Sequence, residues 1–421
     1  MSAIIDAEYN LKCIFLLDPA GKLSNDDSRP QREHAVVVSV QKDVRSLNGR
    51  LSIVAGSIFI VFAAIAIGWA AWERGIESEF RFAIHGPSMA PTLLGDHQIA
   101  KCGACGIDWP IEISDQGTSV SCFHCGDQAT VLSSSGSASV VVVQAYRPAD
   151  ADSSAVHDLR IGDVVAIGGE KMMRIKRIAG LPGDIVELQG ASLLVNGETL
   201  RQVMGTHGDL NFPVPTLLFE MDKYRDLSRW HGDDWQRNEQ RAWTAEGPGW
   251  LMYHHRSIHQ LNQPSCIWDD YPYNADLSRR LHPARSLALT AKVVCEDQGR
   301  VEVVFWIDNQ PVGVTCDVSG ECELKVCSDD AVSVDFAAVT AETPVAIRVL
   351  KGSVQLSSLQ LARQIEYRLR PHDDRSCYPM RLGNDEFFVV GDNVPVSLDS
   401  RDFGVIQERA IKGRVELLES H

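Results

Sequence analysis

An uncharged apolar run of 22 residues, from Leu51 to Trp72, constrains this 421-residue chain more than any other feature. Its length matches the roughly 20 residues that an α-helix needs to cross the hydrocarbon core of a membrane. A cleaved signal peptide would have a shorter apolar region and would begin nearer to the N-terminus. The sequence therefore predicts one transmembrane helix at 51–72, preceded by an N-terminal segment, 1–50.

Basic residues on the two sides of this helix predict its orientation. Four of them precede the helix and two follow it closely: Arg32, Lys42, Arg45 and Arg50, then Arg74 and Arg81. Because Lys and Arg are retained on the cytoplasmic side, we expect the N-terminal segment to be cytoplasmic. The protein would then be a single-pass protein of the cell (inner) membrane, with everything after Trp72 outside the cytoplasm.

The overall charge argues against one class of partner. The chain carries a net charge of −16. Binding to nucleic acid requires a basic face that neutralises phosphates. We therefore expect no nucleic-acid partner.

Short β-branched runs separated by turns predict a β-rich domain after the helix. The runs at 140–146, 163–169, 184–190 and 191–198 follow this pattern. Asn196-Gly197 within the last run is a strong signal for a two-residue hairpin turn. We assign 79–215 and 376–421 to two parts of one catalytic domain.

Three separate segments carry side chains with catalytic chemistry. They are 86–96, which contains Ser88, 172–188, which contains Lys176, and 387–406, which contains the sequence Ser397-Leu398-Asp399-Ser400-Arg401. A serine becomes a good nucleophile only when a base lies within hydrogen-bond reach. Burial among apolar groups can keep a lysine neutral, so that it serves as this base. The nearby His85 and His97 belong to no recognisable triad.

In their order and content, the three segments resemble bacterial type I signal peptidase, the membrane-anchored serine/lysine protease that cuts signal peptides from exported preproteins. The resemblance covers about a quarter of the chain. It implies that Ser88 is the nucleophile, that Lys176 is the general base, and that the hydroxyl of Ser397 orients the lysine. It implies no cofactor for catalysis.

The same resemblance assigns a supporting role to four further residues. Asp392 and Asn393 complete a Gly-Asp-Asn turn, and Asp399 and Arg401 form an ion pair that supports the catalytic loop. Val394-Pro395-Val396 replaces the polar stretch that usually follows this turn in the family. Gly86 stands where some members have a serine that helps to bind the oxyanion, so the oxyanion hole would depend chiefly on the backbone N–H of Ser88.

The resemblance also implies how a substrate is held. An extended signal peptide would lie between the strand leading to Ser88 and the strand leading to Lys176, through main-chain hydrogen bonds. Four residues match family positions that line shallow pockets for small side chains, typically of an Ala-X-Ala site: Phe82, Ile84, Leu93 and Ile175. The alternative for these four is an ordinary core role.

Four cysteines at 100–131 have the spacing of a zinc ribbon. Cys102 and Cys105 form one C-x2-C pair, Cys122 and Cys125 form a second, and a glycine follows each pair. Two such knuckles can offer four thiolates to one tetrahedral ion. With four protein ligands the zinc would be structural, since no position stays open for water. Disulfides or rubredoxin-like iron are the alternatives.

Residues 216–375 differ in composition from the catalytic segments. Their first half is rich in tryptophan and their second half predicts successive strands, which favours an inserted β-sandwich-like domain. Its aromatic residues could bind a glycan or another partner, although core packing is the commoner role. Six further cysteines, Cys266, Cys295, Cys316, Cys322, Cys327 and Cys377, allow up to three disulfides there and just beyond.

The predicted architecture is therefore mainly β: a signal-peptidase-like catalytic domain with one transmembrane helix, a zinc ribbon and an inserted sandwich. Its expected partners are the membrane and the signal peptides of exported preproteins. Two alternatives remain at this stage. One is a regulatory serine/lysine peptidase of narrow specificity, and the other is a non-catalytic membrane scaffold.

Overall fold

A computed structural model describes residues 4–5, 79–113, 119–145, 158–169, 172–204, 211–214, 229–238, 242–274 and 277–417. The predicted transmembrane helix lies outside these residues, as does nearly all of the predicted cytoplasmic segment. Within the described part of the chain, no helix has the length and apolar character needed to cross a membrane.

Strands dominate the described residues and confirm the prediction of a mainly β chain. In chain order they are β1 (Ile4–Ile5), β2 (Glu79–Ala83), β3 (His97–Cys102), β4 (Asp108–Glu112), β5 (Ser119–Ser121), β6 (Gln128–Gly136), β7 (Val140–Ala145), β8 (Val164–Gly169), β9 (Met172–Gly180), β10 (Ile185–Gln189), β11 (Ser192–Val195), β12 (Glu198–Thr199), β13 (Asn211–Val214), β14 (Trp230–His231), β15 (Gln236–Arg237), β16 (Trp243–Ala245), β17 (Trp250–Tyr253), β18 (Arg256–Ser257), β19 (Gln263–Pro264), β20 (Leu287–Ile307), β21 (Gln310–Cys327), β22 (Val332–Ser333), β23 (Val345–Lys351), β24 (Val354–Gln364), β25 (Met380–Arg381), β26 (Glu386–Val390), β27 (Ile406–Gln407) and β28 (Ile411–Leu417). The described helices are short: the α-helices are α1 (Leu200–Met204) and α2 (Ser400–Phe403), and the 3-10 helices are Ile258–Gln260, Ser328–Asp330 and Glu408–Ala410.

The first sheet joins the segments that carry the predicted catalytic residues. Its strand order is β2-β7-β28-β8-β9-β26-β27, and β1 pairs with β9 at one side. In the middle of this sheet, β9 pairs with β8 through Lys176 and Val165, and with β26 through Arg177 and Val390. Because strand neighbours point to opposite faces, Lys176 and Arg177 project to opposite sides of the sheet.

A smaller sheet with the order β12-β11-β10-β25 packs beside the first. The hairpin between β11 and β12 turns at Asn196 and Gly197, which have φ angles of 52° and 86°. Both angles are positive, as a two-residue hairpin turn of this kind requires. The Asn-Gly signal in the sequence therefore predicted this turn correctly.

The ten strands from β13 to β24, apart from β18 and β19, form a single antiparallel sheet. The long strand β20 pairs with β21 along its length, with β24 through its first half and with β23 through its second half. Register shifts near Cys295 and Arg300 separate the two halves. Bulges bend a strand, so β20 can pair with β24 in its first half and with β23 in its second half within one sheet. The sequence had predicted two separate sheets.

A four-stranded sheet with the order β4-β3-β6-β5 carries the cysteine pairs. One knuckle connects β3 to β4 and the other connects β5 to β6. In each, the glycine that follows the second cysteine donates its N–H to the carbonyl of the first cysteine, at 2.9 Å. These glycines, Gly106 and Gly126, have φ angles of 77° and 84°, which L-residues adopt at a cost.

Candidate active site

Three side chains from the three predicted segments meet at one buried point. The Lys176 amine lies 2.9 Å from the Ser88 hydroxyl and 3.1 Å from the Ser397 hydroxyl. All three residues are fully buried. Lys176 is 88 positions from Ser88 and 221 positions from Ser397 in the sequence. The fold of the sheet, and not local chain geometry, therefore brings the three residues together.

Burial sets the protonation of the lysine. Removal from water lowers the pKa of Lys176 from its usual 10.5 to about 8. Among nearby charges, Asp399 and Asp392 act to raise the pKa, while Arg174 and Arg401 act to lower it. A neutral amine is therefore accessible near neutral pH, and a neutral amine can accept a proton.

Asp399 and Arg401 form a buried, two-pronged ion pair. The Arg401 guanidinium donates to the two Asp399 oxygens at 2.8 and 2.7 Å. Asp399 also caps α2, in a capping box completed by Asp402. One of its oxygens accepts from the Gly391 N–H at 2.9 Å. The pair thereby ties the segment that carries Ser397 to the turn that follows β26.

A second buried ion pair stands on the other face of the sheet. Arg177 donates to both oxygens of Asp392, at 2.9 and 2.6 Å. The same carboxylate accepts from the hydroxyls of Thr92 and Tyr367, at 2.5 and 2.6 Å. Thr92 lies four residues after Ser88, so Asp392 connects the nucleophile segment, the lysine strand and the Gly-Asp-Asn turn.

Each buried carboxylate therefore has its own arginine. Burial alone would raise the pKa of Asp392 and of Asp399, but Arg177 and Arg401 respectively lower it, and the net shift is downward for both. An unpaired carboxylate close to Lys176 would stabilise the ammonium form. Pairing keeps the carboxylates ionised while limiting the negative charge that Lys176 experiences.

The Gly-Asp-Asn turn packs against the backbone of Ser88. A Cβ atom on Gly391 would collide with the Ser397 hydroxyl and the Ser88 carbonyl, so only glycine fits there. The Asn393 N–H donates to the Ser88 carbonyl at 3.0 Å, and its side-chain amide donates to the Pro87 carbonyl at 3.0 Å. The turn thus fixes the peptide groups on both sides of the Ser88 Cα atom.

Residues outside the predicted catalytic segments also reach this turn. The side-chain amides of Asn274 and Asn393 exchange two hydrogen bonds, at 2.7 and 2.8 Å. The Tyr271 hydroxyl donates to the Asp392 carbonyl at 3.1 Å. Both residues belong to the predicted inserted domain, and sequence reasoning gave neither of them a role.

The four predicted pocket residues lie together beside Ser88. Phe82, Ile84, Leu93 and Ile175 are all buried in one hydrophobic cluster, which also contains Met89. Met89 follows Ser88 directly, so the cluster packs against the segment that carries Ser88. This packing agrees with the core alternative, and a role in substrate binding stays a prediction.

The four cysteines of the knuckles converge on one point. Their sulfur atoms all lie within 4.8 Å of one another, as a shared metal ion requires. The Sγ atoms of Cys102 and Cys125 are 3.6 Å apart, and those of Cys105 and Cys122 are 3.7 Å apart. Sulfur atoms bound tetrahedrally to zinc at about 2.3 Å are separated by roughly 3.8 Å, whereas a disulfide bond is about 2.05 Å long. The site fits a metal ion.

The other described cysteines are free thiols. Cys266, Cys295, Cys316, Cys322, Cys327 and Cys377 form no disulfide in the described part of the chain. The disulfides that their even number allowed are therefore not formed in this structure.

The second knuckle packs against the ten-stranded sheet. Arg229 donates to the His124 carbonyl at 2.6 Å and to the Tyr253 hydroxyl at 3.2 Å. The ring of His124 is buried in this contact, and burial lowers its pKa to about 3. His124 therefore serves the packing between the two parts as a neutral side chain.

Comparison with known protein families decides the classification. The model of the family described as signal peptidase, peptidase S26, matches residues 54–224 and 329–418, which together are more than half of the chain. The chain belongs to the signal peptidase family. No curated protein matches the chain.

The match falls into two parts, and the second part begins at residue 329, inside the predicted insertion at 216–375. Ser88 and Lys176 lie in the first matched part, and Ser397 lies in the second. Residues 225–328 between them are not matched, which agrees with an insertion into the peptidase. Family membership supports the removal of signal peptides as the activity at the level of the family.

The sequence contained a signal for some of the missed residues. Arg177 adjoins Lys176 in a strand whose only other charged residue is Arg174. Two neighbouring cations on opposite faces of a central strand each need a partner when buried. Asp392 could have been assigned to Arg177 on this ground. Asn274 and Tyr271 carried no such signal, because neither belongs to a recognisable motif.

Proposed function

We propose that this signal peptidase is a membrane-anchored serine endopeptidase that removes signal peptides from exported preproteins, with Ser88 as nucleophile and neutral Lys176 as general base. The observation that carries the proposal is the 2.9 Å contact between the Lys176 amine and the Ser88 hydroxyl inside a fully buried site. Burial lowers the pKa of Lys176 to about 8, which suits a base working near neutral pH.

The chemical steps follow from this contact. The neutral amine has one lone pair, to which the Ser88 hydroxyl gives its proton as its oxygen attacks the scissile carbonyl. One N–H of Lys176 donates to Ser397 and holds the lone pair in the direction of Ser88. The resulting ammonium then protonates the leaving amine, and an acyl-enzyme on Ser88 remains. Water, deprotonated by the same amine, hydrolyses this ester and releases Ser88.

Backbone geometry around Ser88 supports an oxyanion site made of peptide N–H groups. Gly86 has a φ angle of 80°, and Gly95 packs directly against its backbone. Since Gly86 brings no hydroxyl, the Ser88 N–H is the chief candidate donor for the developing oxyanion. Each such donor contributes about 3 to 4 kcal/mol of transition-state stabilisation in serine proteases.

Strand addition is the proposed mode of substrate binding. The edge of β9 next to Lys176 accepts an antiparallel partner, because β1 pairs there with Met173 and Arg174. An extended signal peptide would use the same main-chain groups. Small side chains of an Ala-X-Ala site would then face the cluster of Phe82, Ile84, Leu93 and Ile175.

Anchoring by a helix at 51–72 is part of the proposal. Ser88 follows Trp72 by 16 positions, so even a fully extended connection would span at most about 55 Å. The active site would thus work close to the membrane surface, where the cleavage site of a signal peptide emerges. A basic N-terminal flank supports a cytoplasmic N-terminus and an extracytoplasmic catalytic domain.

The pairing of β1 with β9 bears on this topology. It joins Ile4 and Ile5 to the catalytic sheet, whereas the proposed topology has them on the opposite side of the membrane. Protease treatment of sealed inverted membrane vesicles distinguishes the two arrangements. The proposed topology predicts that an N-terminal tag is digested and the catalytic domain is protected, and digestion of both or of neither would contradict it.

We further propose that the four knuckle cysteines hold a structural zinc ion. Four thiolate ligands leave no position for water, so the ion would stabilise the ribbon and would take no part in cleavage. A possible role of the inserted sheet in binding a glycan or another partner has no specific contact to support it, and we do not include it in the proposal.

The direct test is cleavage of a preprotein with an Ala-X-Ala site by the detergent-purified, metal-loaded protein. We expect the wild type to cut at that site and Ser88→Ala to be inactive. Ser265→Ala removes another buried serine hydroxyl, which donates to the Cys266 carbonyl, and should retain activity. Equal cleavage by wild type and Ser88→Ala would overturn the mechanism. No cleavage by any of the three folded proteins would favour a scaffold or a peptidase of narrow specificity.

A further inference from the structure

The loop between β19 and β20 belongs to the segment that the family model leaves unmatched, yet it lies against the catalytic turn. Asn274 and Tyr271 stand on this loop and bond to Asn393 and to the Asp392 carbonyl. A peripheral insertion would contact the surface of the peptidase. This loop instead contacts two of its fully buried residues.

The loop is held firmly by its own domain. Asp269 receives two hydrogen bonds from Arg279 at its base, at 3.2 and 3.1 Å, and one from the His282 N–H at 2.8 Å. Ile267 is buried in the core of the ten-stranded sheet. Arg363 of β24 stacks over the ring of Tyr271 at 5.0 Å and donates to the Asp270 carbonyl. These contacts therefore hold residues 267–271 of the loop against the ten-stranded sheet.

The contact with Asn274 gives every donor of the Asn393 side-chain amide, and its oxygen, a hydrogen-bond partner. One N–H of the Asn393 side chain donates to the Pro87 carbonyl, and the other donates to the Asn274 oxygen. The Asn393 oxygen accepts from Asn274. Without Asn274, one donor and one acceptor of Asn393 would lose their partners in a buried site, where an unsatisfied polar group is costly.

A displacement of Asn393 would directly shift the backbone that carries the Ser88 hydroxyl. Its side chain bonds to the Pro87 carbonyl and its backbone bonds to the Ser88 carbonyl, so it fixes the peptide groups before and after the Ser88 Cα atom. An error of one ångström in such a position can cost about a hundredfold in rate. Asn274 bonds to Asn393, and Asn393 bonds to the backbone at Ser88, so Asn274 acts through Asn393.

We propose that Asn274, assisted by Tyr271, is a positioning residue for cleavage, through which the inserted domain completes the peptidase active site. This inference rests on the proposed function of Ser88 and Lys176. It assigns the insertion a defined part in the reaction: the insertion holds the Gly-Asp-Asn turn against the nucleophile, and the family-matched segments alone leave Asn393 without this partner.

The test uses hydroxyl and amide substitutions in the full-length, metal-loaded protein. Asn274→Leu keeps the approximate shape of the side chain and removes both hydrogen bonds. We expect kcat for the Ala-X-Ala preprotein to fall by about 10- to 100-fold, with KM within about twofold of wild type. The apparent pKa of the rate profile should stay at its wild-type value, because Asn274 does not contact Lys176.

Tyr271 and Tyr273 offer a matched pair in the same loop. The Tyr271 hydroxyl bonds to the catalytic turn, whereas the buried Tyr273 hydroxyl has no hydrogen-bond partner among the described residues. Tyr271→Phe should lower kcat about threefold to tenfold, and Tyr273→Phe should leave it unchanged. Equal kcat for the two variants, or a wild-type kcat for Asn274→Leu, would overturn the proposal. The tyrosine pair keeps the test decisive if Asn274→Leu does not fold.

Hydrogen exchange separates this proposal from the proposed function. In Asn274→Leu, the amides of 86–90 and 389–397 should exchange faster than in wild type, and those of the cysteine knuckles should not. If the wild type does not cleave the preprotein, the proposed function fails, and faster exchange would still support the positioning contact. Unchanged exchange in both segments would overturn the positioning proposal whatever the activity.

Discussion

The proposed catalytic centre and the cysteine knuckles both bury reactive side chains, but the charges in the two centres are balanced in different ways. In the catalytic centre the chain supplies its own counter-charges: Arg177 faces Asp392 and Arg401 faces Asp399. In the knuckles four cysteine sulfur atoms lie within 4.8 Å of one another, close enough to share one metal ion. The first centre can therefore be complete in the folded chain alone, whereas the second fits an ion that must come from outside.

This difference affects which part of each centre can be lost without loss of the fold. Removing a catalytic atom from the first centre leaves its ion pairs in place. Removing the ion from the second would leave the two knuckles joined by the pairing of β3 with β6 and by the small apolar cluster around Trp109, without the ligand bonds that supply most of the folding free energy of such a site. The comparison predicts that activity and stability are separable in the catalytic centre and inseparable in the knuckles.

The largest effect is expected from metal removal. Binding of zinc to a four-cysteine site supplies on the order of 10 kcal/mol of folding free energy. We expect one zinc per chain by elemental analysis, and loss of hydrogen-exchange protection in β3 to β6 after treatment with a chelator. Ser88→Ala with its metal should keep this protection. Purified protein without metal, with all four cysteines in disulfides, would break the comparison.

The next largest effect is expected from breaking one buried ion pair. Asp392→Asn leaves Arg177 buried without its counter-charge, which should cost about 3 to 5 kcal/mol of stability. Denaturant unfolding measures this cost. Asp317→Asn is the control, because its pair with Arg300 is exposed and exposed pairs add little. Equal stability of the two variants would show that the catalytic centre does not depend on its own charges.

A smaller change in stability, opposite in sign to that of Asp392→Asn, is expected when Lys176 is replaced. Its pKa is lowered from 10.5 to about 8 in the folded protein, so between these values the unfolded chain binds more protons and stability rises with pH. Below pH 8 the buried ammonium costs about 3 kcal/mol. Lys176→Met should therefore be inactive, and its stability relative to wild type should be greatest near pH 7 and should decline toward pH 10. A pH-independent difference in unfolding free energy would contradict this.

The two regions also differ in how far the sequence predicts them. The knuckles are defined by local spacing, with a glycine after each cysteine pair, and local spacing determines local geometry. The structure brings Cys102, Cys105, Cys122 and Cys125 together as that spacing predicted. Ser88, Lys176 and Ser397 are predictable only by resemblance to a family, because nothing in their spacing requires them to meet.

What the sequence did not predict lies in the long-range contacts. Gly391 is essential through the atoms packed against it, which come from Ser88 and Ser397. Asn274 is an ordinary loop residue until the fold brings it to Asn393. The single ten-stranded sheet was also missed, because the polar run Glu296-Asp297-Gln298-Gly299 interrupts the apolar alternation at the bulge and makes β20 resemble two separate strands. The transmembrane helix lies outside the described residues and stays a prediction.

The central claim is that a neutral, buried Lys176 is the base for Ser88, and the pH dependence of kcat/KM tests it most directly. With wild-type protein and the Ala-X-Ala preprotein, kcat/KM should rise tenfold per pH unit below the pKa of Lys176 and level off above about pH 8. Lys176→Met should show no cleavage at any pH. Wild-type activity that is independent of pH between 6 and 9, or cleavage by Lys176→Met, would contradict the account.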